Sequence, residues 1–379
     1  MPRALLRLVF CVLLGAGGAQ AAPNLGVLRI GRVDYVRVTD VAARLGVALK
    51  WQGLRHVELL DAAGSIELPA PGASDGREIR VHGLAVWLGE PVVARSGQAY
   101  LSRIDYEQRL VPLLQPRTGA RPPPRPRIIA LDPGHGGSDS GTKNPRLGYL
   151  EKNFTLDVAL RLKKVLETAG YEVVMTRTAD LPSNRKLELQ DRDIFANAHH
   201  ADLFLSIHFN AGASDRDVTS HGTEVYTFAP DGQSSTAHWG KDADAEPNKE
   251  FPVTAPSLRF NSWNVVFAHA MHVELNRRLG TEDRGEKIAH WGVLRSLNCP
   301  GILVESAFIS NDAEGRRVAT PAFREQIAET MALGIRDYVG ILDSLRPPAP
   351  PPVSPPATPL PPAPAAAPGP VLLPPQRPS

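Results

Sequence analysis

The strongest constraint on the fold is a series of short apolar runs between Arg127 and Leu345, each ended by turn residues and separated by helix-period segments. Ile128 to Leu131 opens it: an unbroken apolar run of strand length, as expected of a strand covered on both faces. The run stops at Asp132-Pro133-Gly134, where proline cannot continue a ladder and glycine allows a sharp turn. Glu151 to Ala169 then reads as a helix, with Phe154, Val158, Leu162, Val165 and Leu166 on one face and Gly170 as its stop. Further strands are expected at Tyr171 to Met175, Asp202 to His208, Gly222 to Phe228 and Gly301 to Glu305, with an extended piece at Gly292 to Leu294. Helices are expected at Leu187 to His199, Asn261 to Leu279 and Pro321 to Leu342. Strand and helix in alternation predict an α/β domain: a mostly parallel twisted sheet flanked by helices.

What precedes this series is different in kind. Arg3 and Arg7, the apolar run Leu8 to Leu14 and the small residues Ala19-Gln20-Ala21 read as a signal peptide over 1–21, too short to span a bilayer. Cys11 would leave with that peptide, so a stable transmembrane or lipid anchor is not expected. Cys299, beside Pro300 and ahead of an apolar run, is expected to be a small buried hydrophobe. Residues 24–114 read as a small α+β domain. Val27 to Ile30 and Tyr35 to Val38 alternate as a hairpin, Thr39 is the expected cap of a helix to Leu45, and Gly46 ends it. Hairpins are expected about Ala63-Gly64 and Gly83, and Ser102 as the cap of a helix through Leu110.

Proline supplies the remaining boundaries. Residues 115–126 form a Pro/Arg-rich linker, stiffened toward an extended form, and 346–379 a Pro/Ala-rich tail too poor in apolar bulk to offset its ordering entropy. The domain between them runs over 127–345. A formal net charge of +2 gives no support to nucleic-acid binding.

The chemistry sits at strand ends. His135 follows the first strand just past its carboxyl edge, where open α/β sheets bind ligands. His208 ends another strand, and Glu151 opens the helix after the first. Two imidazoles and one carboxylate are the ligand set of open catalytic zinc sites. One carboxylate against a doubly charged ion leaves positive charge to acidify a water. Glu305, at the end of an apolar strand, is the acid available to move that water's proton. Each position alone has a plainer explanation: a histidine at a strand end is usually hydrogen-bonded structurally, and an acid at a helix start complements the dipole. The coincidence of all four on one rim favours metal-assisted amide hydrolysis. His269 and His272, i and i+3 on a helix, are expected to be surface or packing residues instead.

Leu131 to Gly137, Glu151 with Asn153, Arg192, and Ala201 to Ala211 together resemble the zinc-dependent N-acetylmuramoyl-L-alanine amidases of the AmiC-like class. His221 to Phe228, Asp283 to Gly285, Val293 to Arg295 and Leu303 to Asn311 continue the match in order. The resemblance implies zinc held by His135, Glu151 and His208, with Glu305 as catalytic glutamate. It implies cleavage of the amide between the lactyl group of N-acetylmuramic acid and L-alanine of the stem peptide. Peptidoglycan is then the partner, and the periplasm or cell envelope the location. Arg284, Arg295 and His290 are possible substrate-binding residues. The 24–114 segment resembles the copper amine oxidase N-terminal-like domain; a wall-binding module and a plain spacer both fit it. Some relatives carry an inhibitory helix that an activator protein displaces. Gly232, Pro247, Pro252 and Pro256 argue against one long helix in the polar stretch from Ala229 to Ser257. Two rival classes stand beside the amidase: a wall-binding module without turnover, and a zinc peptidase.

Overall fold

The computed structural model describes residues 25–52, 56–61, 64–69, 76–116, 121–214, 217–237 and 255–346. The expected signal peptide, part of the linker, the middle of the polar stretch after Ala229 and all but the first residue of the tail lie outside the described residues. Among the described residues no helix is long and apolar enough to cross a membrane.

The N-terminal segment runs β1 (Val27–Ile30), β2 (Val33–Arg37), α1 (Val38–Leu45), β3 (Ala48–Gln52), β4 (His56–Leu60), β5 (Ser65–Leu68), β6 (Glu78–Val81), β7 (Leu84–Trp87), β8 (Val93–Arg95) and β9 (Gln98–Ser102). It closes with α2 (Arg103–Asp105), a π-helical turn over Tyr106–Leu110 and α3 (Val111–Leu114). Gly46 does end α1, in the left-handed conformation, but the helix starts at Val38 and takes no side-chain cap, so Thr39 lies inside it. The Ser102 hydroxyl does cap α2, accepting the Asp105 N–H.

The larger segment runs β10 (Ile128–Pro133), β11 (Lys143–Asn144), β12 (Tyr149–Leu150), α4 (Glu151–Thr168), β13 (Glu172–Met175), α5 (Leu189–Ala198), β14 (Leu203–Asn210) and β15 (Thr223–Phe228). It continues with α6 (Asn261–Leu279), β16 (Asp283–Ala289), α7 (Gly292–Arg295), β17 (Gly301–Phe308), α8 (Asp312–Val318) and α9 (Pro321–Ser344). One expectation fails here and one strand went unforeseen. Gly292 to Leu294 is a helical turn rather than extended, and β16 is a strand where no apolar run announced one.

One sheet carries the order β13-β10-β14-β17-β15-β16-β7-β6-β5-β4-β3, and it is mixed. The strands β13, β10, β14 and β17 are mutually parallel. β15 then reverses against β17, while β15, β16 and β7 are parallel to one another. From β7 to β3 every ladder is antiparallel. A mostly parallel sheet was expected because the missed β16 and the reversal of β15 leave no trace in the apolar runs.

Because successive side chains alternate in a strand, the two faces of the sheet differ. Ile129, Leu131, Leu205, Ile207, Ile302 and Val304 face α4, α6 and α9 and form the main core with Val158, Met271 and Ile335. The other face packs Ala130, Phe204, Tyr226, Phe228 and Leu303 on Ala196 of α5 and Val293 and Leu294 of α7. Cys299 is buried in that second cluster, and burial pushes its thiol up to about 12, as befits a hydrophobe rather than a nucleophile.

Candidate metal centre

The second face turns polar toward the carboxyl ends of the parallel strands. His208 on β14 lies in register with Glu305 on β17, and Glu305 in register with Glu224 on β15. Paired residues point to one face, so the three side chains form a row across adjacent strands. Both strands outrun the sequence reading: β14 continues to Asn210 and β17 to Phe308, so His208 and Glu305 sit inside their strands.

His135 arrives from the loop after β10 and Glu151 from the first position of α4. One ligand atom from each of His135, Glu151 and His208 lies within 4.8 Å of the others, the group among the described residues able to hold a metal ion. The Glu151 carboxylate stands between the two rings, 3.1 Å from His135 Nε2 and 3.0 Å from His208 Nδ1. It also accepts the N–H of Phe209 and of Thr142, at 2.9 and 2.8 Å. The ring of His208 lies against Gly134 so closely that a methyl group on that glycine would overlap it.

The loop that presents His135 is held by buried cations. Arg192 donates to Asp132 at 2.7 Å and to the carbonyls of Pro133 and His135, each at 3.2 Å. Arg177 donates to the carbonyls of Pro133, Gly134 and Lys152. Asp132, fully buried, also accepts from Thr176 and Ser206. His135 adopts φ of +64°, a strained region for a non-glycine residue, and these donors hold it there. Its Nδ1 meets Asp139 at 2.8 Å, leaving Nε2 toward the cluster.

The electrostatics separate the two glutamates. Burial disfavours charge on Glu151, but His135 and His208 outweigh it and hold the carboxyl well below its usual range. Burial likewise opposes charge on His135, but Glu151 and Asp139 push the imidazole up to about 10. For Glu305 the pull of His135 is outweighed. Burial, then the Glu151 and Glu224 carboxylates, hold it well above the usual range, and its buried Oε2 lacks a hydrogen bond. A buried carboxylate between two imidazoles, next to an orphaned acid oxygen, is a donor set that fits a divalent cation with an acid at its open side.

Glu224 is a residue the sequence reading passed over. It accepts from Lys287 Nζ at 2.6 Å, Arg284 Nε at 2.8 Å, Tyr226 Oη at 2.6 Å and Asn210 Nδ2 at 2.7 Å. The signal that singled out Glu305, an acid inside an apolar strand, applies equally to it. Of the possible substrate-binding residues, Arg284 is brought to this network, with its guanidinium over the Phe308 ring. His290 packs edge-on against Phe228, under the charges of Asp231 and Arg295. Arg295 ends α7 and also acts on Asp193.

The other histidine pair is not at the surface. His272 is fully buried between Asp283 at 2.8 Å and Glu286 at 3.3 Å, and His269 meets Glu286 at 2.6 Å. Of the two alternatives, surface or packing, His272 takes packing, and both carboxylates lie on the unrecognised β16.

Comparison with known proteins gives a consistent picture. The model of the N-acetylmuramoyl-L-alanine amidase family matches residues 129–337. N-acetylmuramoyl-L-alanine amidase AmiC of Neisseria meningitidis serogroup B is 33% identical over 239 residues, 59% of this chain and 54% of that protein. AmiC of Escherichia coli O6:H1 is 32% identical over 251 residues, 62% of this chain and 58% of that protein. The chain thus spans little more than half the length of these curated relatives. Among solved structures, the catalytic domain of the amidase CwlV from Bacillus (Paenibacillus) polymyxa aligns with TM-score 0.44 and 27% identity, over 57% of this chain and 99% of that one.

Proposed function

The chain belongs to the N-acetylmuramoyl-L-alanine amidase family, and from that premise we propose that it is an exported, zinc-dependent peptidoglycan hydrolase. Its substrate is the amide between the lactyl group of N-acetylmuramic acid and L-alanine of the stem peptide. The observation that carries the proposal is the convergence of His135, Glu151 and His208 from three separate stretches of chain onto one point beside Glu305.

These three residues would hold the zinc, which when bound supplies a Lewis acid that polarises the scissile carbonyl and acidifies a water. Glu305 takes the proton of the attacking water and returns it to the departing amine, base and then acid. Asp139 fixes the tautomer of His135 through Nδ1, and the Phe209 and Thr142 amides fix the Glu151 carboxylate. Arg284 is the best-placed group to meet a substrate carboxylate or carbonyl, since it borders the Glu224–Glu305 pair. The basic and apolar start of the chain supports export to the periplasm or cell envelope.

Digestion of purified muropeptides with the zinc-loaded chain, read by mass spectrometry, tests the proposal. Free stem peptide with an intact lactyl sugar is the expected product pair. Scission inside the stem peptide would make the protein a peptidase and overturn the assignment.

A further inference from the structure

We propose that Trp87, in the N-terminal segment, is a positioning residue for the hydrolytic site. It braces β16 so that Arg284 and Lys287 hold Glu224 opposite Glu305. The inference rests on the function proposed above only for the role of Glu305; the brace itself is a structural statement.

The family match begins at residue 129, yet the sheet carrying the site continues into the N-terminal segment through β7. β7 runs parallel to β16, with Val86 in register with Glu286. Alternation then puts Trp87 on the same face as Lys287, which pairs with Tyr226, one step along that face from the row formed by His208, Glu305 and Glu224. The indole Nε1 donates to the Arg284 carbonyl at 3.0 Å, and the Lys287 ammonium lies 5.4 Å from the indole ring centroid. Two residues earlier on β7, the Ala85 N–H donates to Asp283 at 2.9 Å. The strands meet where Gly285 stands at φ of +93°; a Cβ there would lie 2.9 Å from both the Ala85 carbonyl and Trp87 Cδ1. Ala85 and Trp87 together therefore seat β16 closely against β7, and Trp87 is the member that also covers Lys287.

The consequence reaches Glu224 through its two oxygens. Oε1 accepts from Lys287 and Arg284, both on β16, whereas Oε2 accepts from Tyr226 and Asn210. Lys287 is 1% exposed, so its charge depends on Glu224 at 2.6 Å and on the indole face for compensation. Removing the indole takes the cover from Lys287 and a donor from the Arg284 carbonyl together. β16 is then free to shift, and half of the Glu224 carboxylate loses its donors beside Glu305.

The test uses the full chain with Trp87→Leu, Trp87→Phe and, as control, Leu59→Ala, which opens the buried N-terminal core away from β16. Kinetics on a soluble muropeptide, zinc content, Tm and amide hydrogen exchange of 223–228 and 283–289 are read in parallel. Trp87→Leu should lower kcat roughly ten- to hundredfold, the cost of an ångström-scale misplacement, with zinc content unchanged and exchange raised in both strands. Trp87→Phe keeps an aromatic face and should recover most of kcat. Leu59→Ala should lose Tm while kcat stays within about twofold, as for an independent site. Unchanged exchange in 283–289 for the Trp87 variants, or a loss of kcat that follows Tm alike in all three, would overturn the proposal. Should Trp87→Leu not fold, Trp87→Phe decides alone: its lost indole N–H must raise exchange at 283–289, and wild-type exchange there refutes the brace. A wild-type chain that leaves muropeptides intact would sink the amidase assignment instead, while the exchange arm still judges the brace.

Discussion

Substituting Gly134 by alanine displaces His208 without altering any proposed ligand. A Cβ at this position would stand 2.2 Å from His208 Cε1, 2.5 Å from Nε2 and 2.7 Å from Nδ1. Gly134 is not among the residues with positive φ, so alanine brings no backbone strain and acts through the ring alone. Ordinary contact begins at 3.4 Å, so the imidazole must retreat by about 1 Å. Zinc sites tolerate ligand displacements of about 0.2 Å. The expected outcome is a fall in zinc affinity of at least about 100-fold, or ~2.8 kcal/mol at ~1.4 kcal/mol per decade. The metal-free protein should also lose about 1–3 kcal/mol from overpacking, which is a few degrees in Tm. Chelator-competition titration and calorimetry measure both. Gly340→Ala, with open space around it and a helical backbone, is the control and should be neutral or slightly stabilising. A Gly134→Ala protein with wild-type zinc affinity and turnover would refute the placement of His208 as a ligand.

Other perturbations separate the parts of the site. Glu305→Gln should retain zinc and lose about 10²–10⁴ in kcat, whereas His135→Ala should lose metal and activity together; metal analysis finding full zinc in the latter removes His135 from the ligand set. Arg192→Met leaves Asp132 buried and unpaired, and should cost about 3–5 kcal/mol in urea unfolding. Adding Asp132→Asn should recover part of that loss, and a double variant no more stable than the single one would contradict the ion-pair account. Burial disfavours charge on His272, but Asp283 and Glu286 outweigh it and raise its pKa from 6.5 to about 9. Its contribution to stability is therefore complete below pH 6.5 and lost as pH rises through about 9. Unfolding measured from pH 5 to 10 should show that decline in the wild type and a weaker one in His272→Gln; equal declines would exclude His272 as its source.

The site was legible where chemistry interrupts an apolar pattern. His208 within Leu203 to Asn210 and Glu305 within Gly301 to Phe308 are polar exceptions in strands the apolar runs disclose, and His135 stands in the loop that ends the first such run. Strand ends were less visible, since past His208 and Glu305 the strands β14 and β17 alternate core residues, Phe209 and Ala307, with residues of the polar network such as Asn210. β16 was invisible for a related reason. Asp283, Arg284, Glu286 and Lys287 read as a solvated charged stretch, but the strand is buried by pairing those charges with His272, Glu224 and His269. Missing β16 also concealed the reversal of β15 and the join to β7, because both depend on which strand lies next to which. No apolar spacing encodes that order. The hairpins about Gly83 and between β4 and β5 were recoverable from turn residues and alternation alone.

The central claim is that two imidazoles and one carboxylate bind a single zinc ion facing Glu305. Crystals of the full chain grown with zinc, with diffraction recorded on both sides of the zinc absorption edge, test it most directly. One anomalous peak within about 2.0–2.2 Å of a His135 nitrogen, a His208 nitrogen and a Glu151 oxygen is the expected result. An enzymatically active crystal whose zinc peak is bound by other residues would contradict it.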